Sequence, residues 1–156
     1  MRSSESVIKK LLINLQIVMS LYEKVEKGAE DIVFVYTICS SADEARNLGF
    51  LAIEEKLAIS MDYWIINSIY PWQGVIKEIG QYILMFSTQK EKSDELMKHI
   101  EAEHTYKVPM IVRCNTDMTN VAYSLWVEDT LKNPEKYKTE DEVNVKQDIN
   151  SLNKLK

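Results

Sequence analysis

Four glycines, three prolines, two cysteines and two histidines in 156 residues leave little room for several kinds of chemistry. So little glycine excludes a phosphate-cradling loop, and neither a nucleophile elbow nor a kinase signature occurs. Cys39 and Cys114 are too few for a disulfide framework and lack the close cysteine pairing of a zinc site. A reducing compartment, the cytoplasm, is therefore the default expectation. His99 and His104 stand five apart, not on one helix face, and Ile100-Glu101-Ala102-Glu103 between them makes neither H-E-x-x-H nor its inverse. No stretch reaches the ~18 apolar residues of a membrane span. The best candidate, 11–22, contains Asn14, Gln16 and Ser20, and Glu23-Lys24-Val25-Glu26-Lys27 follows it in place of a small-residue cleavage site. It reads as non-secretory, with organelle targeting by an N-terminal extension left open.

What remains is an ordinary soluble composition, 46% apolar and 28% charged, of a length that suits one domain. The net charge of −5 falls entirely between residues 31 and 127, where eight basic side chains meet thirteen acidic ones. Such a balance repels phosphate backbones, so nucleic acid is not an expected partner. Gly80-Gln81-Tyr82-Ile83-Leu84-Met85-Phe86 only faintly echoes an RNA-binding strand, with Ile79 where a basic residue would stand.

Three regions are expected: an amphipathic helical extension over 1–30, a domain over 31–132 and a polar tail over 133–156. In 5–27, Val7, Ile8, Leu11, Leu15, Val18, Tyr22 and Val25 follow helical spacing, with Ser4 as a cap and Gly28 as a stop. This stripe needs the domain body, a neighbouring subunit or a membrane surface, and protein is the expected cover. The run 32–37 is β-branched and aromatic, as in a fully buried central strand. Ser41-Ala42-Asp43-Glu44 has the form of a capping box opening a helix to about Lys56. From Ala58 to Thr88 the period becomes two, with Gln73-Gly74 mid-way: a hairpin longer than so small a domain needs for itself. Ser93 is expected to cap a second helix with Leu96, Met97 and Ile100 inward; a strand follows from Pro109, then a helix over about 121–131. The order is β-α-β-β-α-β, the α+β ferredoxin-like arrangement, with a helix added at each end. With the outer strands of that order paired, Cys39 and Cys114 lie roughly 15–20 Å apart and stay free.

Two segments stand out: Ser68-Ile69-Tyr70-Pro71-Trp72-Gln73-Gly74, and His104-Thr105-Tyr106-Lys107-Val108-Pro109. Each sets aromatics beside a proline, where a strand has to bend or end. Tyr70 and Trp72 share a strand face, as a ligand wall or as an interface anchor; the interface is favoured. His104 is a candidate metal ligand or a histidine meeting the last carbonyls of its helix. His99 reads as an exposed helix residue. Cys39, just before a helix start, is either a thiolate favoured by the dipole or a small buried hydrophobe.

Together with Glu54-Glu55-Lys56-Leu57-Ala58 and Tyr123-Ser124-Leu125-Trp126, these segments resemble the CutA family of divalent-cation tolerance proteins, marked by S-x-Y-x-W-x-G and H-x-Y-x-V-P. The resemblance implies a homotrimer of ferredoxin-like subunits with PII-like architecture, a link to copper and other divalent cations, and no firmly attached catalysis. It makes Tyr70, Trp72, Tyr106 and Trp126 ligand or interface residues. The metal expectation, Cu(II) or another divalent cation, falls on His104 and Cys39. The alternative is a PII-like protein that binds a small metabolite in clefts between subunits. Departures fall on the copper side: Ser60 stands where the family carries its proposed copper cysteine, Ser87-Thr88 replaces a K-T pair, and Met110 replaces an acid.

Overall fold

The computed structural model describes residues 2–133. The tail expected from 133 lies, from residue 134 onward, outside the described residues. Helix α1 spans Arg2–Glu30, β1 Ile32–Cys39, α2 Ala42–Glu54, β2 Ser60–Trp72, β3 Val75–Gln89, α3 Lys90–Glu103, β4 Ile111–Asn115 and α4 Val121–Lys132. The four strands form one antiparallel sheet in the order β2-β3-β1-β4, the expected ferredoxin-like order.

Alternation in β1 decides where the core sits. Val33, Val35, Thr37 and Cys39 are buried, while Phe34, Tyr36 and Ile38 on the other side are only half-buried. The strand is central, but it is not fully buried as its composition suggests: α2 and α3 cover one face, and on the other α4 reaches only Ile32 at the strand's start. On the covered face Val35, Cys39, Leu84 and Phe86 meet Ala45, Leu48 and Ala52 of α2 and Leu96 and Ile100 of α3. At the start of β1, Ile32 packs with Ile59 and with Val127 and Leu131 of α4.

The hairpin turns on two residues, Gln73 at φ 51° and Gly74 at φ 81°. Two successive left-handed residues match the twist of a tight hairpin, and Gly74 adopts its angle without a Cβ clash. Pro71 neither bends nor ends β2, which runs on to Trp72. The edge position explains this, because no further strand needs its missing N–H. Since β1 pairs with β3 only from Gln89 to Tyr82, residues 66–72 and 75–81 extend beyond it as a two-stranded ribbon, about 23 Å long, held at its base by the Gln81–Tyr106 bond.

Three local expectations need correction. Helix α1 starts before Ser4 and passes through Gly28 to Glu30. A lone glycine costs a helix about 1 kcal/mol and does not stop it unless a chain reversal follows. Ser93 lies inside α3, buried, its hydroxyl donating to the Lys90 carbonyl; the N-cap is Gln89 and makes no side-chain bond. His99 is only 13% exposed, with Nδ1 3.2 Å from Glu55.

Candidate functional site

The C-terminal end of β1, the start of α2 and the exit of α3 meet at one corner. Ser41 caps α2 by accepting the Glu44 amide at 3.1 Å. The Glu44 carboxylate does not return to Ser41 as in a closed capping box. Its Oε2 instead accepts the Ser40 amide at 3.1 Å and the Ser40 hydroxyl at 2.8 Å. Its Oε1 accepts the Thr105 amide at 3.1 Å and the Thr105 hydroxyl at 2.6 Å. Burial alone would raise the pKa of this carboxyl, but the four donors from Thr105 and Ser40 outweigh it and hold it below its ordinary value. Glu44 thereby ties the residue after β1 to the residue after α3.

His104 ends α3, and its side chain is fully buried. Nε2 lies 3.1 Å from the Ile38 carbonyl, which can only accept, so the ring proton sits on Nε2. Nδ1 accepts the Tyr106 amide at 3.0 Å. The Glu44 oxygen 3.5 Å from Nδ1 therefore faces a lone pair, and the contact is not an ion pair. The expected meeting with the last helix carbonyls does not occur, because the chain leaves α3 extended and carries the ring onto β1. Tyr106 stacks at a tilt on His104, centroids 5.1 Å apart, and its hydroxyl accepts from Nε2 of buried Gln81 at 2.7 Å. Burial pushes the Tyr106 phenol up, partly offset by the Gln81 bond, and Tyr70 lies close enough to raise it further.

Cys39 sits beneath this corner, wholly buried, its thiol 3.4 Å from the Ser41 carbonyl. Burial pushes it up to about 11, against a smaller opposing effect of the Ser41 contact. The dipole of α2 does not make it a thiolate. The expected cation pair of His104 and Cys39 thus does not fit the residues present. The lone pair a cation would take on Nδ1 already accepts the Tyr106 amide, and Nε2 is spent on the Ile38 carbonyl. Among the described residues, no group of three or more His, Cys, Asp or Glu side chains could hold a metal. Both cysteines are free, as expected.

Of the residues singled out in the sequence, Cys39, His104 and Tyr106 come together, with Tyr70 nearby. Trp72 stands at the ribbon tip, half-exposed, and Trp126 lies at the opposite end of β1, tilted on Tyr123 at 5.8 Å. The sequence reading missed Glu44, Thr105 and Gln81 as parts of the corner. The S-x-x-E signal pointed to Glu44, but only as a cap. Two surface depressions lie elsewhere: one of about 460 Å³ is lined by Asp94, Met97, Lys98, Glu101, Pro109 and Ile111, and the other by Arg46, Phe50, Met61 and Tyr63.

A family model described as "CutA1 divalent ion tolerance protein" matches residues 33–130. The divalent-cation tolerance protein CutA of Thermococcus kodakarensis is 31% identical over 101 residues, 65% of this chain and 97% of that protein. A chloroplastic CutA 1 protein of Oryza sativa is 26% identical over 101 residues, 64% of this chain and 57% of its own length. The solved CutA structure from Synechococcus elongatus superposes with a TM-score of 0.64 at 29% identity, covering 65% of this chain and 91% of that one. Helix α1 precedes the residues matched by the family model.

Proposed function

From the premise that this chain belongs to the CutA1 divalent ion tolerance family, we propose that it acts as a homotrimer in the response to divalent metal ions, without catalysis. The observation that carries the trimer is the overhanging ribbon. Ile69 is 69% exposed and Ile76 81%, on the stretch of the hairpin that pairs with no third strand. Apolar ribbons of this length are costly in water, and neighbouring copies cover them in a closed ring. Tyr70, Trp72 and Tyr106 then anchor the clefts between subunits, where Tyr and Trp are favoured. Trp126, half-exposed on α4, takes a neighbouring copy at the other end of the sheet.

The cation, Cu(II) or another divalent ion, is met between protomers. Support comes from the ligand chemistry: the described residues of one protomer do not assemble three donors, and the buried His104–Cys39 pair is committed elsewhere. The compartment is the cytoplasm, which keeps an exposed Cys114 reduced. Isothermal titration of the assembled protein with Cu(II) and Zn(II), beside a nucleotide panel, tests the ligand class. Saturable binding of a cation, lost when the assembly is dissociated, is the expected result. Saturable binding of a nucleotide and none of a cation contradicts it.

A further inference from the structure

Helix α1 offers a second surface that the fold leaves uncovered. Ile8, Leu11, Leu15, Val18 and Tyr22 follow alternating steps of three and four, and in the sequence the series continues to Val25. That is the heptad spacing of a helix that packs against other helices along its whole length, since a 3.5-residue repeat keeps one seam facing a partner. Leu12 and Met19 flank the seam and broaden it, as in assemblies of more than two helices. Each of these seven side chains is more than half exposed, from 53% at Met19 to 62% at Leu11. The helix touches α4 but does not bury this stripe on its own domain. The seven side chains offer roughly 700 Å², close to the ~800 Å² each partner contributes to a standard interface.

The alternative cover, a lipid surface, fits poorly. A helix lying on a membrane carries lysine and arginine along its polar side. Here the five basic residues of the helix (Arg2, Lys9, Lys10, Lys24 and Lys27) are nearly matched by four acidic ones (Glu5, Glu23, Glu26 and Glu30), and between them the side away from the seam carries the uncharged Ile13, Gln16, Ile17 and Ser20. The seam also stands apart from the ribbon. α1 leads into β1 at Ile32, beside Gln89, whereas the ribbon overhangs the far end of β1 beyond Cys39 and Tyr82.

We propose that α1 is a self-association helix: the helices of separate copies of this chain pack seam to seam in a parallel coiled coil, distinct from the ribbon contacts. The number of helices, three, rests on the trimer reading; the contact itself does not. In a closed ring every copy is equivalent, so the helices run parallel and like positions face each other.

The test uses the full chain carrying Cys114→Ser, which leaves only the buried Cys39, with either Leu15→Cys in the seam or Ile13→Cys on the outer side. Mild oxidation should link Leu15→Cys into covalent pairs while Ile13→Cys stays single. A Leu11→Asp, Leu15→Asp variant should raise the concentration at which the assembly dissociates at least tenfold, without change in the circular dichroism of the β-sheet domain. A wild-type trimer with equal or absent cross-linking at the two positions overturns the helix contact and leaves the trimer standing. Cross-linking at Leu15→Cys in a two-chain particle keeps the helix contact and rejects the trimer. Protection of Leu15→Cys from alkylation only by phosphatidylserine vesicles overturns the self-association in favour of a lipid surface.

Discussion

Glu44 and Thr105, 61 residues apart in the chain, are joined by two hydrogen bonds from one residue to a single carboxylate oxygen, at 2.6 and 3.1 Å. The other oxygen holds Ser40. One carboxylate therefore fastens the exit of α3 to the end of β1, and with it the loop that positions His104 and Tyr106. Glu44→Gln keeps the shape but turns one accepting oxygen into a donor facing N–H and O–H groups. It should cost about 1–3 kcal/mol in chemical denaturation.

The same carboxylate gives acid unfolding a defined sign. Its folded pKa lies below its unfolded one, so the unfolded chain binds more protons in that window and stability rises with pH. The stabilisation is complete above the ordinary carboxyl value and is lost as pH falls through the lower, folded one. Denaturation midpoints from pH 7 down to 2.5 should fall more steeply for the wild type than for Glu44→Gln. Parallel curves would contradict this role.

His104→Ala removes a fully buried ring with one acceptor bond to Tyr106 and one donor bond to Ile38, leaving both backbone groups without partners. A loss of roughly 2–4 kcal/mol is expected. Metal stoichiometry per chain, measured on whatever fraction remains assembled, should not change. Loss of cation binding at unchanged stability would return His104 to the role of ligand.

The two thiols should separate cleanly. Cys39 is fully buried and raised to about 11, whereas Cys114 is exposed. At pH 8, iodoacetamide should add one label per folded chain, at Cys114, and a second only in denaturant, read by peptide mass. Labelling of Cys39 in the native protein would contradict the packing at this corner.

Much of this architecture was legible in the residues. Ser41 to Glu44 marked the start of α2, and Gln73-Gly74 inside a long two-residue alternation marked the hairpin, because both signals act over four residues or fewer. The corner was not legible in the same way. Glu44 to Thr105, His104 to Ile38 and Gln81 to Tyr106 are long-range bonds, which no local pattern announces. His99 looked exposed by its helical neighbours but is sheltered by Glu55, across from α2's end. Pro71 looked like a break and is not one, since strand order, absent from local sequence, set it on an edge.

In the proposed assembly the ribbon is the contact most open to a small change. Ile65 at the ribbon's base and Ile69 within it are 66% and 69% exposed in the protomer, so an acid at either position costs the isolated fold little. Ile65→Asp, Ile69→Asp should stay folded by circular dichroism and yet dissociate at concentrations where the wild type does not.

Multi-angle light scattering of the full chain at micromolar concentration is the most direct measurement. Three times the 18.1 kDa of one chain is the mass expected. A single particle of 18.1 kDa would leave the apolar ribbon facing water and would contradict the account at its base.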